Sequence, residues 1–475
     1  MESQLVVVGG GPGGYAAAFL AADLGMKVTL VEREPRLGGV CLLRGCIPSK
    51  ALLHVAKTME EARHLAQWGV AFGSPQIDLS AMRARKEKVL ATLSGGLKQL
   101  AKKRGVAVIQ ARAVFQDSQT LHLHGVSGTA LPDPLLRFEH CIIATGSSPA
   151  VFPPFEAPNP RVMDSTGALE LVDVPQSLLV VGGGYIGLEM ATVYAAIGSQ
   201  VTVVELTDGL LPGVDRDLVK PLQARLEKRL AAIYLGTKVV ALASKNDRLE
   251  VTFEGTAPVK TQQYDRVLVS VGRRPNTDNL GLERTGVQVD RRGFITVDNR
   301  RRTADPHIWA IGDVAGEPML AHKASHEGKV AVEALAGEPA VFAPRAIPAV
   351  VFTDPEIAWA GLTESEAARQ NRPVEVAVFP WAASGRAQAI GRTEGFTKWL
   401  IDPQTKRVVG CGIVGAGAGD LISEAVLAIE MGAAVRDLSD TIHPHPTLSE
   451  TLGAAAEVFM GTATDLYKPR RTAAV

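Results

Sequence analysis

Leu5-Val-Val-Val-Gly9-Gly-Gly11-Pro-Gly-Gly14 is an apolar run that stops abruptly in glycine, and an Ala-rich apolar stretch follows to Leu24 before a second apolar run at Val28–Val31. The change from a short apolar run to glycine and then to a longer apolar segment predicts strand, tight turn, helix and strand, a βαβ unit. The same grammar returns at Leu178-Leu-Val-Val-Gly182-Gly-Gly184-Tyr-Ile-Gly187, followed by an apolar segment through Ala196 and a run at Val201–Val204. Gly182 repeats Gly9 and Glu205 repeats Glu32 at one common offset, so the chain holds two copies of a single half-domain.

Each copy carries the spacing Gly-x-Gly-x-x-Gly, as Gly9, Gly11 and Gly14 and again as Gly182, Gly184 and Gly187, with a glutamate closing the next strand. These glycines allow a tight turn, close approach of backbone to a pyrophosphate, and helix-strand contact, while the helix N-terminus offers N–H groups to phosphate. Glu32 and Glu205 are placed to accept from ribose hydroxyls. A carboxylate at Glu205 favours a free 2′-hydroxyl over a 2′-phosphate, so NAD is expected there rather than NADP.

Each unit is followed by an apolar strand ending in glycine, Cys141 to Gly146 and Val267 to Gly272, and the first unit resumes at His307–Asp313. The second unit is therefore expected to be inserted into the first. Beyond about Pro344 the texture changes to strand-like segments at Ala349–Phe352, Val374–Phe379, Thr397–Ile401 and Val408–Val414, with helical ones at Leu421–Glu430 and Ser449–Phe459. This predicts a separate α+β domain.

The chain of 475 residues is too long for one ordinary core and suits roughly three or four units at about 150 residues each. Fifty basic residues balance fifty acidic ones, so no global field exists to hold a polyanion, and nucleic acid is not an expected partner. Aromatic residues make up only 5%, too few for a base-stacking platform. No uninterrupted apolar run approaches the ~20 residues of a membrane span, and the first strand begins at Gln4 with no room for a leader, so a cytoplasmic chain without a membrane partner is expected.

Four cysteines are too few for a secreted disulfide scaffold, yet two of them fall in Gly38-Gly-Val-Cys41-Leu-Leu-Arg-Gly-Cys46-Ile-Pro-Ser-Lys50. Residues five apart do not face one another on a regular helix, so bridging Cys41 to Cys46 requires a distorted turn, which Gly45 permits. The residues alone leave three readings open: a redox pair, two reduced core thiols, or half of a metal site with His54 as the nearby third ligand. Cys141 and Cys411 lie in apolar, strand-like contexts and read as core residues. Near the other end, Pro444 and Pro446 flank His445 in His-Pro-His-Pro-Thr-Leu-Ser-Glu, with Glu450 close to the start of a helix. A carboxylate on one ring nitrogen fixes the tautomer and raises the basicity of the other.

The Gly-Gly-x-Cys-x4-Cys-x-Pro-Ser-Lys run, the two fingerprints and the His-Pro-His-Pro-Thr-Leu-Ser-Glu run together resemble the pyridine nucleotide-disulfide oxidoreductases over essentially the whole chain. The fold that this implies is α/β, with two Rossmann-like domains binding FAD and NAD and a C-terminal α+β dimerisation domain. The expected boundaries are 1–148 for the first part of the FAD domain, 149–273 for the NAD domain, 274–345 for the segment completing the FAD domain, and 346–475 for the interface domain.

The resemblance further implies that Cys41 and Cys46 form a redox disulfide. It makes Lys50 and Glu189 an ion pair beside the flavin, Asp313 a ribityl contact, Gly146 and Ala321 further FAD contacts, and Val239 and Gly272 further NAD contacts. It implies that His445 and Glu450 are a base dyad reaching the disulfide of the partner subunit in a homodimer. The branch it points to oxidises protein-bound dihydrolipoamide and reduces NAD. The expected partners are then the lipoyl domains and acyltransferase core of 2-oxo acid dehydrogenase or glycine-cleavage complexes.

The chain departs from the family pattern at Leu43, where Asn is usual, and at Pro444, where Ala is usual. The rivals are a related reductase for another small disulfide and a flavin redox sensor without turnover. The first would want basic residues at Glu205, and its mercury- and thioredoxin-reducing relatives add a cysteine pair near the C-terminus, which here reads Asp465-Leu-Tyr-Lys-Pro-Arg-Arg-Thr-Ala-Ala-Val475.

Overall fold

A computed structural model describes residues 1–126, 131, 133–153, 155 and 159–467. The last eight residues of the cysteine-free C-terminal run lie outside these.

The first βαβ unit forms as its sequence dictates: strand Glu2–Val8, helix Pro12–Asp23, strand Val28–Glu32. Proline at the first helical position costs no hydrogen bond, because that N–H has no intrahelical partner. Strands Ala107–Asp117, Val28–Glu32, Glu2–Val8, Leu135–Ile143 and Ile308–Ala310 run parallel in that order, and Thr120–Gly125 joins the first and fourth by antiparallel pairing. Leu5–Val8 and Val28–Val31, at the centre of the sheet, are nearly continuous in Val and Leu because both faces are buried, whereas Ala107–Asp117 at the edge is largely exposed. Residues 308–310 thus return to the first sheet after the second unit has been built, with Cys141, Ile142 and Ile143 opposite Ile308, Trp309 and Ala310.

The second unit repeats the order. Ala232–Tyr234, Gln200–Val204, Ser177–Val181, Arg266–Val269 and Val162–Met163 form an all-parallel sheet, with helix Tyr185–Ala196 in the crossover. In both sheets the glycine turn leaves the central strand where the order reverses, which is where open α/β sheets bind ligands.

The third unit is an antiparallel sheet in the order Ala349–Val351, Glu356–Gly361, Val408–Gly415, Phe396–Ile401, Glu375–Pro380. Helices Ala418–Met431 and Glu450–Met460 cover it over a core that includes Trp381, Trp399, Ile413 and Leu452. The observed architecture is the expected α/β fold with an α+β C-terminal unit. Glu356–Gly361 is an extra strand that the sequence reading passed over, since Glu-Ile-Ala-Trp-Ala-Gly carries only two large apolar residues.

Among the described residues one helical stretch, Gly39–Trp68, is long and apolar enough on average to cross a membrane. It is interrupted at Gly45 and carries the cysteine pair and Lys50 against the second unit.

Lys398 sits in the middle of its strand, 1% exposed, and joins the second unit to the third. Its ammonium contacts Asp215 at 3.0 Å, Asp217 at 2.8 Å and Glu364 at 2.5 Å. These three acids have the spacing of a metal site, but the cation they surround is this lysine. Removing one partner of a buried ion cluster leaves uncompensated charge. Lys398→Met is therefore expected to lower stability by about 3 kcal/mol, read as a fall in the thermal midpoint, whereas an unchanged midpoint would deny the clamp.

Candidate active site

Gly9 has φ +111°, and a Cβ there would run into the Ala144 carbonyl; one at Gly14 would overlap the Gly9 carbonyl oxygen. Only glycine lets the turn close and the helix approach the strand this tightly. The second turn repeats both constraints, with Gly182 at φ +108° against Ser270 and Gly187 against Gly182. Glu32 braces the first turn: its Oε2 accepts from Gly10 N at 2.6 Å and its Oε1 from Glu34 N at 2.9 Å. Glu205 does the same in the second, accepting from Gly183 N at 2.7 Å and Thr207 N at 2.8 Å. Both carboxylates thus fix the turn itself, a duty beyond the ribose contact anticipated from the sequence.

A cavity of about 640 Å³ opens on the first turn. Gly9, Gly11, Glu32, Gly146, Asp313 and Ala321 line it together with Cys41, Cys46, Lys50 and Glu189. Gly14 lies behind this wall and serves helix packing. The cavity size, the glycine-lined wall at a helix N-terminus and the acid at the strand end fit an extended dinucleotide. Asp313 Oδ2 accepts from Ser147 Oγ at 2.5 Å, and Ser147 in turn receives Arg273 Nε at 2.8 Å. Sequence reading missed Ser147 and Arg273, whose only local signal is their position just past the glycines Gly146 and Gly272.

The helix Gly39–Arg44 ends at Gly45, whose backbone (φ −149°, ψ −109°) leaves helical geometry before the next helix starts at Cys46. This break brings Cys41 and Cys46 together as free thiols joined by a hydrogen bond. The Cys41 S–H donor pulls the Cys46 thiol down to about 7; burial opposes the shift and the Lys50 ammonium assists it. Cys41, which keeps the proton, is pushed up by the same bond and by burial. Leu43 does not line the cavity, so this departure places no side chain in it.

A thiolate, not a thiol, is the nucleophile. In the reduced protein one cysteine is thus expected to alkylate with a midpoint near pH 7, fast above it and slow below, instead of near the ordinary thiol value of 9.0. Cys46→Ser should remove that step, and Lys50→Met should move it upward. A rate that rises only above about pH 8.5, where an ordinary thiol ionises, would refute this assignment.

Lys50 Nζ lies 2.9 and 3.0 Å from the two oxygens of Glu189, which is 3% exposed, and 4.4 Å above the Phe352 ring. Phe352 N also donates to Glu189 at 3.1 Å. The ion pair tethers the cysteine helix to the second unit and to the start of the third.

Gly182, Gly184 and Gly187 form the second turn with Glu205 bonded to it, and Gly272 follows two residues past Ser270, whose hydroxyl bonds the Gly182 carbonyl; none of the five lines the first cavity. Val239 is also in that unit, but its side chain is packed in the core with Leu249 and Phe253, so only its backbone can face a ligand. His445 and Glu450 are joined, Nδ1 to Oε1 at 2.9 Å, with the imidazole 80% exposed. Burial pushes the Glu450 carboxyl up, but the Thr447 N–H and the His445 ring outweigh it and hold it below its ordinary value. This dyad does not reach the cavity containing Cys41 and Cys46 of its own chain.

The family model for pyridine nucleotide-disulphide oxidoreductase matches residues 3–328, and the dimerisation domain of the same family matches residues 347–456. The chain is 50% identical to the dihydrolipoyl dehydrogenase of Haemophilus influenzae over 98% of its own length and 97% of the relative's. It superposes on LpdA from Mycobacterium tuberculosis with a TM-score of 0.88 at 28% identity, covering 96% of this chain and all of that one. The HOCl-induced flavoprotein disulfide reductase RclA from Escherichia coli gives 0.83 at 29% identity, over 94% and 98% of the two chains.

Proposed function

The chain belongs to the pyridine nucleotide-disulphide oxidoreductase family, and from that premise we propose that it is a dihydrolipoyl dehydrogenase, taking electrons from protein-bound dihydrolipoamide and delivering them to NAD. The observation that carries this reading is the Cys41/Cys46 pair opening into the first cavity beside Lys50 and Glu189, in a chain half identical to a dihydrolipoyl dehydrogenase along nearly its whole length. FAD and NAD are the family's cofactors; the first fingerprint is assigned to FAD and the second, with Glu205, to NAD. The domain reading is 1–148 with 274–345 for FAD, 149–273 for NAD and 346–475 for association into a homodimer.

His445, supplied by the partner subunit and oriented by Glu450, takes the proton from one dihydrolipoyl thiol. The resulting thiolate attacks Cys41 Sγ, the Cys41–Cys46 bond breaks, and Cys46 leaves with the electron pair as a thiolate. The second substrate thiol, deprotonated in its turn, attacks the substrate sulfur of the mixed disulfide. Lipoyl disulfide departs and Cys41 regains a proton. The low Cys46 value makes it the better leaving group and lets it stay ionised beside Lys50. Bound FAD supplies the two-electron relay from this thiolate to NAD. The physiological partners are the lipoyl domains and acyltransferase core of 2-oxo acid dehydrogenase complexes.

The test is NADH formation when FAD-loaded protein receives dihydrolipoamide with either NAD or NADP. Turnover strongly favouring NAD is expected. Equal rates would undo the reading of Glu205, and no turnover despite bound flavin and a reducible disulfide would move the substrate to another dithiol.

A further inference from the structure

The strand Thr120–Gly125 carries His122 and His124, with Leu121 and Leu123 buried in the core of the first unit. Side chains alternate across a strand, so both imidazoles stand on its outer face; His122 is half-buried and His124 exposed. His122 Nδ1 and His124 Nε2 face each other at 3.1 Å, with ring centroids 4.4 Å apart. As a hydrogen bond between neutral surface rings this contact contributes little, because water competes for both atoms and two rotamers are fixed to make it.

The same separation matches a chelate. Two imidazole nitrogens at about 2.0–2.1 Å from one ion, at an angle between square and tetrahedral, stand about 2.9–3.4 Å apart. We propose that His122 and His124 form a bidentate site for a divalent transition-metal ion of the imidazole-seeking class, Cu²⁺, Ni²⁺ or Zn²⁺, on the outer face of the first unit and separate from the cysteine pair. The two nitrogens are already at chelate separation, so binding needs the proton between them to shift to the outward nitrogen of its own ring and the rings to tilt until both lone pairs meet at the ion. No third His, Cys, Asp or Glu ligand atom closes on the pair among the described residues, so water completes the shell. Val114 and Leu135 lie opposite His122 in register, and Arg112 opposite His124. Arg112 directs its guanidinium to the Asn279 carbonyl at 3.4 Å.

The experiment uses untagged, FAD-loaded protein kept oxidised, so that Cys41 and Cys46 are tied to each other and do not compete. Titration calorimetry with Ni²⁺ and electron paramagnetic resonance with Cu²⁺ should show one tightest ion per chain, with two nitrogen ligands. His122→Asn and His124→Asn should each weaken it at least about tenfold, the chelate advantage of a second tethered ligand. The double variant should lose less than the sum of the two single losses, since either substitution alone already breaks the chelate. Flavin content and turnover of the variants report an intact fold. Independently of any variant, Ni²⁺ should protect these two residues from carbethoxylation, as mapped by mass spectrometry. Wild-type affinity in either single variant, additive losses in the double one, or protection confined to other histidines would each overturn the site.

Discussion

Cys41→Ser will bind flavin, fold with wild-type stability and fail to turn over dihydrolipoamide. The hydroxyl cannot form the bridge to Cys46 and cannot be the sulfur that a substrate thiolate attacks, so both halves of the exchange disappear together. Loss of an obligatory covalent partner is not a graded effect, and a fall of about 10⁴-fold or more is expected. Flavin retention separates this from collapse of the site. The cavity is built by Gly9, Gly11, Gly146 and Asp313 as well as by the cysteine helix, and the helix is held by the Lys50–Glu189 pair, which the substitution leaves alone. Electron flow from NADH through bound FAD to a one-electron acceptor such as ferricyanide bypasses the thiols and should survive. Substantial dihydrolipoamide turnover in Cys41→Ser would end the proposed chemistry; loss of ferricyanide reduction as well would mean that the flavin site had been damaged.

The parts of this site that the sequence reveals are those fixed within a few residues. The glycine spacing announces itself because Gly9 and Gly14 are sterically compelled, and both lie within one turn of chain. The cysteine pair is legible for the same reason, Gly45 breaking the helix between the two residues. What the sequence hides are partners set by tertiary packing. Lys50 and Glu189, paired in the sequence only through the family resemblance, meet across 139 positions, and Arg273 reaches Ser147, which nothing in the sequence paired, across 126. Lys398, in an otherwise apolar strand, reads locally as a misplaced charge until Asp215 is found 183 positions away. Nor does any periodicity distinguish the two histidines of His443-Pro-His445. That distinction comes from the surroundings: His443 has Nε2 on Glu424 at 2.8 Å and Nδ1 on the Thr441 carbonyl at 3.1 Å. With both nitrogens engaged, it has none to offer a substrate.

His445 keeps one ring nitrogen outward, and on that ground His445→Gln is expected to slow reduction of the protein by dihydrolipoamide about 10²–10⁴-fold, while NADH-to-ferricyanide electron flow stays near normal. A stronger demand follows from its distance from the cysteines. The dyad lies outside the cavity of its own chain, so if it is the base, it must act on a partner's disulfide. A twofold dimer then makes each site from Cys41 of one chain and His445 of the other. Cys41→Ser and His445→Gln proteins are each inactive alone. Unfolded together and reassembled with FAD, they place an intact Cys41 opposite an intact His445 at one of the two sites in every mixed dimer. Random pairing makes half the dimers mixed, so about a quarter of the wild-type rate should return. Were base and disulfide provided by one chain, every site in the mixture would lack one of them and no activity would reappear. Recovery near a quarter supports the shared site, and its absence from a mixture shown to contain mixed dimers rules it out.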